Sequence, residues 1–221
     1  MVSSLFEKAT SYISSLGLIG PSGAILLVSV LLIFLYLKEL KRTNLELRRM
    51  MVTAVFVAIS FILYNIQFIK YPQGGGISLF PMLPILLISI LYGKGIGLTA
   101  GLLLGILKIF NGFFVVHPAQ FLLDYVFSTM ALGLACIYGT DKKYKIFLGC
   151  LTAVALSVGI NILSGVVYFG QYAPEGTNVF VYSAIYNLMF VIRVAGDIVA
   201  ASQAVPIDTL RKALKNIMGS L

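Results

Sequence analysis

Charge is what this sequence has least of. Only 11% of its 221 residues are Asp, Glu, Lys or Arg, against 59% hydrophobic, which leaves too little polar surface to cover a water-soluble globule. Tryptophan is absent, so any aromatic wall must be built from tyrosine and phenylalanine. The two cysteines, Cys136 and Cys150, offer neither a disulfide framework nor a metal-ligand spacing; they read as packing residues near helix ends. The single histidine, His117, has no evident pairing with a serine, and nucleophilic catalysis needs a positioned base. Ser164-Gly165 is therefore a poor hydrolase signal. Gly93-Lys94-Gly95 lacks the G-x-x-x-x-G-K-[ST] order of a phosphate loop. With no catalytic, metal or cofactor motif, the chain reads as a non-enzyme. No basic stretch precedes the first apolar run, so a cleavable signal peptide is not expected either.

What is present is a series of apolar runs, each near the roughly 20 residues that cross a bilayer as a helix. The expected fold is an all-α polytopic membrane protein with seven spans. A short interfacial helix is expected over 3–16, then spans at 22–37, 50–69, 81–92, 96–112, 118–138, 146–169 and 179–203. A glycine-rich loop at 71–78 serves as lid or connector, and a second loop covers 170–177. Gly97, Gly101 and Gly105 are spaced for close helix contact. After Pro206, Leu210, Leu214, Ile217 and Leu221 share the apolar face of a basic helix suited to a membrane surface. Three regions result: an anchor helix with a basic linker at 1–49, a six-helix membrane domain at 50–205 and the basic tail at 206–221.

The formal charge of +8 sits at helix ends, which argues for topology rather than nucleic-acid binding. Lys38–Arg49, Lys94, Lys142–Lys145 and Arg211–Lys215 fall on one side, and Lys8 and Lys70 on the other. The positive-inside rule then puts the N-terminus outside and the C-terminus in the cytoplasm.

Within this frame Asp124 stands out as a carboxylate in an apolar span. Steps of three and four residues put His117, Gln120, Asp124 and Ser128 on one helical face, and a charge kept inside a membrane helix normally faces protein, water or a ligand. At about 1.5 Å per residue, Asp124 lies roughly 10 Å below the outer end of its span. Tyr186 and Asn187, with Tyr182 above them, and Asn161, with Tyr168, reach a similar layer on the last two spans. Apolar walls with a few polar anchors describe a ligand pocket open to the outside. Lys108 is a rival partner for Asp124, Arg193 and Asp197 have the spacing of an intrahelical ion pair, and His117, before Pro118, reads as a capping residue at the mouth.

Three stretches together resemble the thiamine-specific substrate-binding (S) components of energy-coupling factor vitamin transporters. They are His117-Pro118-Ala119-Gln120-Phe121-Leu122-Leu123-Asp124-Tyr125, then Ser164-Gly165-Val166-Val167-Tyr168-Phe169-Gly170-Gln171-Tyr172-Ala173-Pro174-Glu175-Gly176, then Tyr182-Ser183-Ala184-Ile185-Tyr186-Asn187. Ala54-Val55-Phe56-Val57-Ala58 resembles the family's A-x-x-x-A docking motif. The resemblance covers residues 50–205 and leaves an extra N-terminal helix. It implies a subunit that captures thiamine, or a related small cationic or aminopyrimidine vitamin, from outside. It further implies that a transmembrane coupling subunit docks at Ala54 and Ala58 and that two ATPase subunits drive uptake. It also implies that Asp124 holds the aminopyrimidine and that Tyr125, Tyr182 and Asn187 line the site, to which shared face and depth add Gln120, Asn161, Tyr168 and Tyr186, with Phe169 as a further candidate wall. The sequence departs from the family pattern at Ser157 and Asn161, where an Arg and a His are usual, and Phe169, Tyr168 or Tyr172 must replace the usual tryptophan. The competing expectation is an autonomous ion-coupled carrier using Asp124, Lys108, Arg193 and Asp197.

Overall fold

Apolar runs become helices because, without water, every backbone N–H and C=O must be satisfied within its own segment. A computed structural model describes residues 20–70, 76–112, 114–188 and 191–203, together with Thr209, Lys212 and Asn216. The expected interfacial helix at 3–16 lies outside the described residues, as do the four apolar residues of the C-terminal tail.

In chain order the helices are α1 (Pro21–Arg42), α2 (Leu47–Asn65), α3 (Leu83–Tyr92) and α4 (Lys94–Lys108). A composite helix over 118–134, here α5, is followed by α6 (Lys143–Tyr168), α7 (Val179–Leu188) and α8 (Val191–Gln203). Among the described residues four helices are long and apolar enough to cross a membrane: α1, α2, α4 with its short 3₁₀ extension to Asn111, and α6. The other three expected spans are α3, only ten residues long, the composite α5, and the segment shared by α7 and α8.

The second span differs from its expected bounds. Its helix ends at Asn65 rather than 69, and Gln67–Lys70 pairs antiparallel with Gly76–Ser78 as β1 and β2. Strand pairing satisfies the backbone of a segment whose helix stops before Pro72 and the glycine run.

Helix α3 is the hub: Ile85, Leu86, Ile88 and Ile90 are all almost fully enclosed. They pack with Val57 of α2, Ile96 and Leu104 of α4, Ala153 and Val154 of α6 and Ile198 of α8. Buried serine hydroxyls tie the hub and its neighbours: Ser89 donates to Gly133 O at 2.6 Å, Ser60 to Pro81 O, and Ser183 to Ile162 O at 2.8 Å. Such bonds and small-residue contacts hold membrane helices together where lipid removes the hydrophobic drive.

The expected glycine contacts are present. A Cβ at Gly101 would strike Thr129 O, one at Gly105 would strike Tyr125 O, and Gly97 and Gly133 would each collide with the other's backbone. Helices α4 and α5 therefore meet backbone to backbone. At the Gly139 turn, Lys145 Nζ donates to Asp141 Oδ1 at 2.9 Å, and this ammonium holds the exposed Asp141 carboxyl below its ordinary range.

Candidate ligand site

The site is built around a helix that is not uniformly α. His117 begins α5: its backbone is extended, and its Nδ1 accepts from Ala119 N at 3.1 Å, satisfying one of the donors a helix start leaves open. Pro118 follows at the first position, where its missing N–H costs nothing. The capping role expected for His117 is thus met. After one α-helical turn, Leu122–Phe127 adopts π geometry. Asp124 and Tyr125 lie within it. Such segments are rare and recur at functional sites.

Gln120 and Asp124 do share a face. Gln120, fully buried, donates from Nε2 to Asp124 Oδ2 at 2.6 Å, while its Oε1 accepts from Val116 N at 3.2 Å. Its amide is therefore oriented by the loop before the helix. A carboxylate offers about four acceptor positions on its two oxygens, so this one bond leaves capacity for a donor. Ser128, the fourth member of the expected stripe, is buried.

The loop 112–117 contributes more than its sequence announced. Phe114 N donates to the Tyr125 hydroxyl at 3.3 Å, and that hydroxyl donates to Gly112 O at 3.5 Å. Gly112 adopts φ 129, a region closed to most side chains. The Phe114 ring stacks on Phe169 at 6.0 Å, and Phe169 leans on Tyr172 at 6.2 Å. Phe114 and Ser164 are the site residues that sequence reasoning missed. The only cue for Phe114 was an aromatic pair after Asn111-Gly112, just before the His-Pro start.

Ser164 and Gly165 are where α5, α6 and α7 converge. Ser164 Oγ is fully buried without a hydrogen-bond partner of ordinary geometry, yet it stands beside the Asp124 carboxylate. A Cβ on Gly165 would strike Ser183 Oγ and come within 3.7 Å of Asn187 Nδ2. Asn187 Nδ2 itself donates to Ser183 O at 2.8 Å. Asn161 is half-buried one turn before Ser164. Tyr182 and Tyr186 lie ring to ring at 6.2 Å on α7. Tyr168 stacks on His117 at 5.2 Å and donates to Ser22 Oγ at 3.0 Å.

Lys108 Nζ sits 5.0 Å above the Tyr64 ring and also acts on Asp124 through space. The Asp197 carboxylate is fully buried on α8, and the Arg193 side chain expected beside it lies outside the described residues. Ala54 and Ala58 are both exposed, on the flank of α2 beside the buried stripe of Thr53, Val57 and Ser60.

Comparison with known proteins gives concordant matches. The model of the family described as Thiamine transporter protein (Thia_YuaJ) matches residues 50–210. The thiamine transporter ThiT of Bacillus subtilis is 35% identical over 162 residues, spanning 66% of this chain and 84% of that protein. ThiT of Lacticaseibacillus paracasei is 29% identical over 155 residues, spanning 61% and 75%. A solved structure of ThiT from Listeria monocytogenes shares the fold with a TM-score of 0.60 at 19% identity. It covers 78% of this chain and 96% of that one.

Proposed function

The chain belongs to the thiamine transporter protein family, and from that premise we propose that it captures thiamine from outside the cell as the substrate-binding subunit of an energy-coupling factor transporter. It is a membrane protein and not an enzyme. The observation that carries the reading is the Gln120–Asp124 pair at 2.6 Å inside an apolar helix, with Ser164 beside it and aromatic rings around it. A carboxylate suits the exocyclic amine of an aminopyrimidine through a charge-assisted hydrogen bond. Tyrosine and phenylalanine faces suit a cationic ring.

In this reading Asp124 takes the amine, with Gln120 holding its carboxylate in place. Tyr125, Asn161, Tyr182, Tyr186 and Asn187 line the remaining polar and aromatic surface. Tyr168 and Phe169 form the wall that tryptophan supplies elsewhere in the family. Residues 50–205 form the capture domain, with 1–49 and 206–221 as flanking membrane-associated segments. The N-terminus is outside and the C-terminus cytoplasmic.

Ala54 and Ala58 form the docking point for a transmembrane coupling subunit, whose two ATPase partners supply the energy. Two exposed alanines one turn apart allow a partner helix to approach closely.

Purified protein in detergent, titrated with thiamine without ATP, tests the reading. Saturable heat of binding supports capture, and none over a wide concentration range would sink it. Uphill thiamine transport by this protein alone in liposomes under a proton or sodium gradient would instead establish an ion-coupled carrier.

A further inference from the structure

Helix α1 lies outside the 50–210 region matched by the family model, yet it is fastened to that region at three levels. Near its start, Ser22 Oγ accepts from the Tyr168 hydroxyl at 3.0 Å. In its last third, Tyr36 OH and Thr99 Oγ1 are 3.0 Å apart. At its end, Glu39 Oε2 and Lys94 Nζ are 3.0 Å apart. Between these ties, Ile25 and Tyr36 are among the residues packed around Leu123, Phe127 and Met130 of α5. Leu123 is the immediate neighbour of Asp124.

The first tie differs in kind from the other two, because its partner is an aromatic ring of the proposed site. Tyr168 stacks on His117 at 5.2 Å, and His117 caps the helix carrying Gln120 and Asp124. Ser22, Tyr168, His117 and the start of α5 thus form one continuous chain of contacts. A phenol held by its hydroxyl at one end and by ring stacking on its face has little freedom to swing. Without Ser22, the ring keeps its stacking on His117 and its packing around Leu123, Phe127 and Met130, but the hydroxyl loses its anchor.

We propose that Ser22 is a positioning residue for ligand binding: by accepting the Tyr168 hydrogen bond it fixes the ring that walls the site. This makes α1, a helix preceding the family-matched region, a working wall of the pocket as well as an anchor. The inference rests on the thiamine-capture reading above and deepens it.

The test uses the full chain purified in detergent, with thiamine affinity measured by calorimetry for Ser22→Ala, Ser22→Thr, Tyr168→Phe, Ser22→Ala with Tyr168→Phe, and Tyr36→Phe. Ser22→Ala and Tyr168→Phe are each expected to weaken affinity roughly three- to tenfold, the effect of one neutral hydrogen bond. The double variant should lose no more than either single one, since both remove the same bond. Ser22→Thr, which keeps the hydroxyl, should bind like the unaltered protein. Tyr36→Phe removes a comparable bond of the same helix, to Thr99 rather than to a site residue, and keeps the ring packed on α5, so it should lower the melting temperature of the ligand-free protein without weakening binding. Unchanged affinity in Ser22→Ala, or an equal loss in Tyr36→Phe, would overturn the positioning role and leave capture standing. Failure of the unaltered protein to bind thiamine would overturn capture and this inference together.

Discussion

Gln120 Nε2 and Asp124 Oδ2 are joined by a 2.6 Å hydrogen bond one turn apart on the same helix. Because Gln120 is itself held by Val116 N through its other amide atom, the carboxylate is aimed before any ligand arrives. Preorganisation of this kind reduces the ordering cost of binding.

Asp124→Asn removes the charge and keeps the shape. Thiamine affinity should fall roughly tenfold to a hundredfold, the range of a hydrogen bond to a charged group. Calorimetry on the purified variant measures this, and an unchanged affinity would separate Asp124 from the ligand.

The aromatic wall makes a spectroscopic prediction, because no tryptophan is present to interfere. Phe169→Trp should keep binding and give a single-tryptophan emission that changes on adding thiamine. Phe169→Ala should weaken binding roughly three- to tenfold by removing a stacking face. A Phe169→Trp emission indifferent to saturating thiamine would place the ligand elsewhere.

Gly105 and Gly159 form a matched pair. A Cβ at Gly105 would collide with Tyr125 O, whereas one at Gly159 meets nothing within 4 Å. Gly105→Ala should destabilise the protein by about 1–3 kcal/mol through overpacking and should weaken thiamine binding as Tyr125 shifts. Gly159→Ala should be neutral or slightly stabilising, because alanine is the better helix former. Thermal melts in detergent with and without ligand distinguish the two.

If a coupling subunit docks at α2 as proposed, capture and transport can be separated there. Ala58→Trp adds bulk to an exposed position, so thiamine binding by the purified protein should be unchanged. Uptake in cells containing the coupling and ATPase subunits should collapse. If uptake survives, the partner approaches from another side.

Much of the bundle was legible because lipid-facing apolar runs, basic helix ends and glycine spacing each report one strong physical requirement. Gly97, Gly101 and Gly105 announced a close helix contact, whose partner the structure shows to be α5, and His117-Pro118 announced a helix start. The π geometry of Leu122–Phe127 was not legible, since its hydrogen-bond shift alters register without altering composition. The end of α2 was misplaced by four residues because Gln67-Phe68-Ile69 is apolar enough to pass for helix and pairs as strand. Phe114 and Ser164 were missed for a different reason. Their importance lies in contacts between segments, Phe114 with Tyr125 and Phe169, and Ser164 with Asp124, and spacing along one helix carries no trace of such contacts.

The glycine contacts between α4 and α5 also decide how the carboxylate side of the proposed site is held. Sliding α5 by a single residue would drive a side chain into space that holds only a hydrogen atom, so the backbone carrying Asp124 and Tyr125 is held in register against α4. Tyr168 and Phe169, by contrast, are held by ring stacking on His117 and Phe114, by the hydrogen bond from Tyr168 to Ser22, and by packing of Tyr168 around Leu123, Phe127 and Met130. The carboxylate side of the proposed site is thus held by backbone contact, and the aromatic side by side-chain contact.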